Sequence, residues 1–251
     1  MIGKRLAAFQ YWPHMVTLVI ISLAFLGYRF FAYHYTYSND SYVAANVINI
    51  VSLVSGPITD IYVSENQKVL KGQKLVQIDS LPYKYAMEEI SQDQNYKQGS
   101  INKASYEKAL YLYNHSLIKA PADGYITNFN LRPGQYLSPG QTLFALIESN
   151  HWWVLTRYRE TALRLIHPGD RAKITIDLYP GKVFHGHVNS IAWGIDRGQA
   201  TSSTVSPLAP AEATEDWIKI AQRFPVRIDI DNLSAEYPLR IGASATTKTY
   251  H

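Results

Sequence analysis

Cysteine is absent from the 251 residues. That excludes a disulfide framework and a cysteine nucleophile, and it is compatible with an oxidising compartment. Charge is sparse as well: Asp, Glu, Lys and Arg make up 18% of the chain, the formal net charge is +4, and the 24 basic residues are scattered. Nucleic acid, which calls for a dense basic patch, is excluded as a partner. Catalytic signatures are also missing. There is no Gly-x-Ser-x-Gly and no His-Glu-x-x-His, so the sequence reads as non-enzymatic and without a cofactor.

Long apolar runs are lacking with one exception. Met15 to Tyr33 is nearly continuously apolar apart from Arg29, about 19 residues that would cover roughly 28 Å, close to the hydrocarbon thickness of a bilayer. We expect residues 15–35 to form a single transmembrane helix. Lys4 and Arg5 place residues 1–14 in the cytoplasm by the positive-inside rule, and Tyr11, Trp12, Tyr33, Tyr35 and Tyr37 mark the two interfaces. No Ala-x-Ala site follows the run, which weighs against a cleaved signal peptide.

What the chain does contain is a duplication. Gly56–Ile78 and Gly124–Leu146 superpose without a gap at a separation of about 68 residues, sharing Gly56/Gly124, Ile58-Thr59/Ile126-Thr127, Gln67/Gln135, Gly72-Gln73/Gly140-Gln141 and Leu75/Leu143. Each copy reads as strand, turn, strand. Ile58 to Val63 alternates apolar and polar, Lys71-Gly72 or Pro139-Gly140 turns, and Leu75 to Ile78 returns. Neither copy has enough apolar surface to stand alone, so the two should close over one core as a small β-sandwich.

Between the copies, Tyr83, Ala86, Met87, Ile90 and Gln94 recur at helical spacing, and Ile101, Ala104, Ala109, Leu112 and Tyr113 repeat the pattern after Gly99-Ser100. This predicts a hairpin of two helices, with Gly99 ending the first and Ser100 capping the second. After the second copy come a strand at Trp152–Leu155, a short helix from Glu160 to Ile166 and a strand through Ile174, Ile176 and Leu178. A turn follows at Tyr179-Pro180-Gly181, then a strand through Phe184, Gly186 and Val188. Residues 196–216 read as a flexible loop. Val226, Ile228 and Ile230 alternate along another strand, and the strand from Ile241 to Tyr250 should pair near Tyr42 to Ile50 as a membrane-proximal domain.

The residues Gly124, Gly134-Gln135, Pro139-Gly140-Gln141 and Leu143 resemble the biotinyl/lipoyl-type domain. The leader Ile118-Lys119-Ala120-Pro121-Ala122-Asp123-Gly124 resembles its form in the periplasmic adaptors, or membrane fusion proteins, of bacterial efflux pumps and secretion systems. Together with Trp217 to Ile228 it looks most like the adaptors of aromatic carboxylic acid (p-hydroxybenzoic acid) efflux pumps. The resemblance implies a mainly β fold with a short α-helical hairpin. Its parts would be membrane-proximal strands at 42–54, lipoyl-like halves at 55–80 and 118–149, the hairpin at 81–117, a β-barrel domain at 150–235 and a closing membrane-proximal strand at 236–251. It further implies a bacterial inner-membrane location and a ring of three or six protomers. The partner would be an inner-membrane exporter of the aromatic acid or major-facilitator type. A TolC-like outer-membrane channel is the family's other partner, but the Arg-Leu-Ser tip motif is absent from Lys97 to Ile101 and the hairpin is short. That points to a shortened assembly or a trimmed hairpin.

Two alternatives compete with the adaptor. A membrane-tethered lipoyl or biotinyl carrier needs a lysine at the apex of a tight turn between the halves, whereas Lys84, Lys97 and Lys103 fall in the helical segment. A structural ectodomain would share the domain order without a transporter. The residues singled out for contacts with partners or neighbouring protomers are Gln67, Gln73, Gln135, Gln141, Arg157, Arg159 and Arg164, although turn chemistry is the simpler reading of the glutamines. Arg157, Arg159, Arg164 and Arg171 concentrate positive charge that would attract an anion or acidic loops; the plainer reading is a solvated face with a Glu160–Arg164 ion pair. His185 and His187 have the spacing of two metal ligands on one strand face, with no third suggested, so they read as surface residues.

Overall fold

The computed structural model describes residues 12–92, 103–195, 221–231, 233–234 and 236–251, and in the first helix the side chains of 15–28 and 34. Helix α1 (Trp12–His34) leads into strand β1 (Tyr35–Val51). The side chains from Met15 to Leu26 are exposed. Among the described residues no helix is long and apolar enough to cross a membrane. The fourteen side chains described from Met15 to Tyr28 fall short of the ~18 that a span needs. The expected span 15–35 thus extends past them, and most of the expected cytoplasmic stretch lies outside the described residues.

The chain divides into two units, Ala45–His151 and Met1–Ala44 with Trp152–His251. The first holds β2 (Gly56–Ile61), β3 (Lys68–Val69), β4 (Lys74–Ile78), β5 (Leu117–Lys119), β6 (Gly124–Thr127), β7 (Tyr136–Leu137) and the start of β8 (Thr142–Arg159). Each copy of the repeat pairs its own outer strands, Ile58 with Ile78 and Ile126 with Leu146. Its middle strand pairs with the other copy: β3 runs beside β6 and β7 beside β2. The exchange is reciprocal down to single bonds. Ile126 N donates to Gln67 O at 3.0 Å where Ile58 N donates to Gln135 O at 2.9 Å, and Gly72 N donates to Ala120 O at 2.8 Å where Gly140 N donates to Ser52 O at 2.7 Å. The short middle strands have no partner inside their own copy, so the backbone groups of one half are satisfied by the other.

One core lies between the copies. Leu75, Val76, Ile78, Ile126, Leu137, Phe144 and Leu146 are fully buried in a single cluster, drawn from both halves. A period of two carries Val76 with Ile78 and Phe144 with Leu146 inward, and Leu75 is buried beside them at the register shift between Lys74 and Val76. At about 25 cal/mol per Å2, burying each Leu or Ile contributes roughly 1.5–3 kcal/mol that an isolated half would forgo.

The seam between the copies carries α2 (Leu81–Gln92) and α3 (Lys103–His115) in place of a tight hairpin. Asp79 Oδ1 accepts from Leu81 N at 3.0 Å and starts α2. At 12 and 13 residues these helices are about 18 and 20 Å long. Only Ala109 is buried, and Tyr83 and Leu112 tie the bases to the sandwich core. Lys84 and Lys103 lie on the helices. The tip, with Lys97, Gly99 and Ser100, is outside the described residues.

The second unit is a barrel of six strands, β1, β12 (Ser244–Tyr250), β9 (Arg171–Ile176), β10 (Val183–Ile191), β11 (Arg223–Ile230) and β8, in that order. β1 also pairs with β8, which returns the order on itself, and Ser38 Oγ donates to Arg157 O at 2.8 Å. The expected short helix is a single turn, α4 (Glu160–Leu163). The turn after β9 forms as predicted: Lys182 N donates to Tyr179 O at 3.1 Å, and Gly181 takes φ +83°, which a side chain would strain. The expected loop 196–216 lies outside the described residues.

One expectation holds only in part. The last strand meets the expected stretch at Tyr42, opposite Ser244, and at Val43, which exchanges backbone bonds with Ala243 and Gly242, but most of its pairing lies upstream. β12 pairs Tyr35–Tyr42 of β1 on one edge and Arg171–Ile176 of β9 on the other, so both ends of the chain are barrel staves. The edge of β9 needs a strand beside it, and β12 supplies one where a two-strand domain would leave edges bare.

Candidate functional site

β8 alternates strictly through the barrel wall. Trp152, Val154, Thr156 and Tyr158 are buried, while Trp153, Leu155, Arg157 and Arg159 are not. Inside, the Tyr158 hydroxyl lies 3.0 Å from Thr247 Oγ1 and 2.7 Å from Thr249 Oγ1, and Thr247 in turn meets Thr156 at 3.2 Å. Every one of these side chains is buried, so each hydroxyl depends on the others. Tyr158→Phe should lower stability by about 1–3 kcal/mol in chemical denaturation, because threonine hydroxyls lose a partner they cannot replace with water.

Burial pushes the Tyr158 phenol above its ordinary 10.0, and the bonds to Thr247 and Thr249 oppose the rise only in part. The folded state therefore holds a proton that the unfolded chain releases near pH 10. The resulting stability is whole below pH 10 and is lost as pH rises through the folded value. Wild type should lose stability above pH 10 more steeply than Tyr158→Phe.

Outside, the strand register sorts the charges. Leu155 faces Arg227, and Arg227 lies 4.0 Å over the Trp153 ring while its Nε donates to Asp229 Oδ1 at 2.8 Å. Two and four positions on, Arg157 stands opposite Pro225 and Arg159 directly opposite Arg223. Arg223 Nη1 donates to Asp40 Oδ2 at 3.0 Å. Neither Arg157 nor Arg159 makes an ion pair with a described residue. A cleft of about 340 Å3 opens here, walled by these three arginines, Tyr37, Asn39 and Thr161. Chemically it presents guanidinium forks and hydroxyls to a concave space, which suits an oxyanion.

The cleft gathers only part of what the sequence singled out. Arg157 and Arg159 line it, whereas Arg164, at the end of α4, does not, and no Glu160–Arg164 ion pair forms. α4 ends at Leu163, before the helical turn that would bring the two side chains together. Arg223 and Tyr37 were missed, since their approach depends on a register between strands distant in sequence. The four glutamines sit in the turns of the sandwich, where each Oε1 accepts a backbone N–H three residues back. Gln67 holds Ser64 at 2.9 Å, Gln73 holds Leu70 at 3.0 Å, Gln135 holds Arg132 at 3.3 Å and Gln141 holds Ser138 at 3.1 Å. His187 meets Asp231 at 2.7 Å on the barrel surface, a partner that spacing alone did not suggest. No group of three His, Asp or Glu side chains among the described residues could hold a metal ion.

Comparison with known proteins follows the same division. Residues 46–149 match the family model for the barrel-sandwich hybrid domain of RND membrane fusion proteins, and residues 151–249 match the AAEA-like beta-barrel domain. The fold is similar to that of the periplasmic adaptor protein EmrA, at 15% identity and TM-score 0.53, over 87% of this chain and 99% of that one. It is also similar to the membrane fusion protein Spr0693 from Streptococcus pneumoniae R6, at 17% identity and TM-score 0.57, over 86% and 97% of the two chains. MacA from Actinobacillus actinomycetemcomitans matches at 17% identity and TM-score 0.53, over 86% and 78%. A closed sandwich with helices at its seam, followed at residue 151 by a barrel, is thus the domain pair of the membrane fusion, or periplasmic adaptor, family to which this chain belongs.

Proposed function

We propose that this protein is a non-enzymatic adaptor subunit of an inner-membrane efflux pump. Residues 15–35 anchor it with the N-terminus in the cytoplasm, the rest of the chain stands in the periplasm, and three or six copies form a ring beside an exporter of the aromatic acid or major-facilitator type. Its mechanism is sealing: lateral association of identical protomers makes a closed conduit that one chain cannot make. The observation that carries this reading is the helical excursion leaving the seam of a shared-core sandwich that is followed by a barrel. The exposed apolar side chains from Met15 to Leu26 support the anchor, since water would not leave such a row uncovered. Aromatic carboxylic acids are the substrates we assign, on the resemblance in the barrel sequence. Direct reach to an outer-membrane channel is not part of the proposal, because the described helices are only about 20 Å long.

Deleting the gene should lower tolerance to p-hydroxybenzoate, restored by the full-length chain, and crosslinking in cells should recover an exporter of many spans together with trimers or hexamers of this protein. Unchanged tolerance with no exporter recovered would sink the assignment in favour of a structural ectodomain. An added lipoyl or biotinyl mass on the purified protein would instead point to a carrier.

A further inference from the structure

We propose that the cleft walled by β1, β8, α4 and the start of β11 is a binding site for an oxyanion, a carboxylate or phosphate, held by Arg157, Arg159 and Arg223. The first support is register. Arg159 and Arg223 face each other across the β8/β11 ladder, where Cβ atoms are about 5 Å apart and like charges repel. The second is charge balance. Asp40 engages Arg223 at 3.0 Å, and among the described residues no ion pair or side-chain hydrogen bond engages the guanidinium of Arg157 or Arg159. Among the described residues, three guanidinium groups against one carboxylate leave two positive charges on one wall. The third is shape. The space of about 340 Å3 falls in the range of small-molecule sites, roughly 300–1,000 Å3.

An oxyanion seated between two planar forks accepts several charge-assisted bonds and removes the repulsion between Arg159 and Arg223. Binding and barrel stability are therefore linked, and the ligand should raise the melting temperature. Two sources supply this chemistry. Tyr37 and Asn39 stand three and five residues past the end of α1, about 10 and 17 Å of extended chain, which is within reach of a phospholipid headgroup if α1 is the anchor. A soluble carboxylate reaches the same forks from solvent. The site stands whether or not the chain serves an exporter.

The test is isothermal titration of the full chain in non-ionic detergent, at constant ionic strength, with inorganic phosphate, benzoate and dihexanoyl-phosphatidylglycerol. At least one probe should bind saturably, more than tenfold more weakly in Arg159→Gln and Arg157→Gln, and without change in Arg171→Gln, which does not line the cleft. Arg159→Gln should keep or raise the melting temperature without ligand, since it removes a repulsion, so that lost binding is not lost folding. Tighter binding of the lipid than of phosphate and benzoate identifies the headgroup as the source, and the opposite order identifies a soluble anion; both support the site. Absence of saturable binding for all three probes, or binding equal in wild type and both cleft variants, overturns it.

Discussion

Replacing Gly124 by valine should strongly destabilise the sandwich. A Cβ at this position would sit on the carbonyl oxygen of Ile147, 3.0 Å from its carbon and 3.1 Å from Leu146 Cδ1. The obstruction is backbone of the neighbouring strand, which is held by pairing of Gly124 with Glu148 and Ile126 with Leu146. Neither strand can move without breaking that ladder, so the loss should be about 3 kcal/mol, a large share of the ~5–15 kcal/mol that holds a domain folded, and the midpoint should fall accordingly. Gly181→Ala is the control. It has open space around it and only a strained φ of +83°, so it should lose about 1 kcal/mol. Chemical denaturation followed by circular dichroism measures both. Equal midpoints for Gly124→Val and Gly181→Ala would show that the strands part freely.

Leu75→Ala should weaken both copies of the repeat at once. Leu75 is fully buried in a cluster that includes Ile126, Leu137 and Leu146 from the second copy, and truncating a buried leucine costs about 2–5 kcal/mol. Hydrogen exchange reads the outcome at two pseudo-equivalent amides, Ile58 and Ile126, each bonded to a glutamine carbonyl of the opposite copy. At about 1.4 kcal/mol for each factor of ten, both should exchange at least 30-fold faster. Acceleration at Ile58 alone would mean that the copies are separate folding units, and the single shared interior would be wrong.

Much of this fold could be read from the residues in order. The duplication announced itself through seven identities at one spacing, and the alternation of Ile58 to Val63 marked a strand, although a register shift between Ile58 and Asp60 changes its phase and buries both Ile58 and Val63. The helical spacing from Tyr83 placed α2 close to where it lies, and Pro180-Gly181 marked a turn that forms with its expected bond. These signals are local: a turn residue or a period of two acts on its own few neighbours. Illegible were the exchange of β3 and β7 between copies and the entry of β1 and β12 into the barrel. Strand alternation says which face is buried and nothing about which edge lies alongside.

The cleft shows the same limit. Arg157 and Arg159 could be picked out as a concentration of charge, and their spacing puts them on one face of a strand. That Arg223 stands opposite Arg159, and that Asp40 reaches Arg223 while no carboxylate of the described residues pairs with Arg157 or Arg159, follows from pairings across 64 and 183 positions of chain. The glutamines follow the simpler of their two readings, because that reading is local: each Oε1 accepts a backbone N–H of the turn that contains it.

By itself the sequence determined that this protein has two related β segments, a helical interruption between them, and a third β region carrying excess arginine, because composition and periodicity act over a few residues. Only the tertiary structure decided that the two segments complete each other's sheets, that the chain's ends close the barrel, and that three arginines share one cavity. Backbone donors and acceptors left over by a short strand must find partners wherever the folded chain brings them, and that choice is made by register between distant strands.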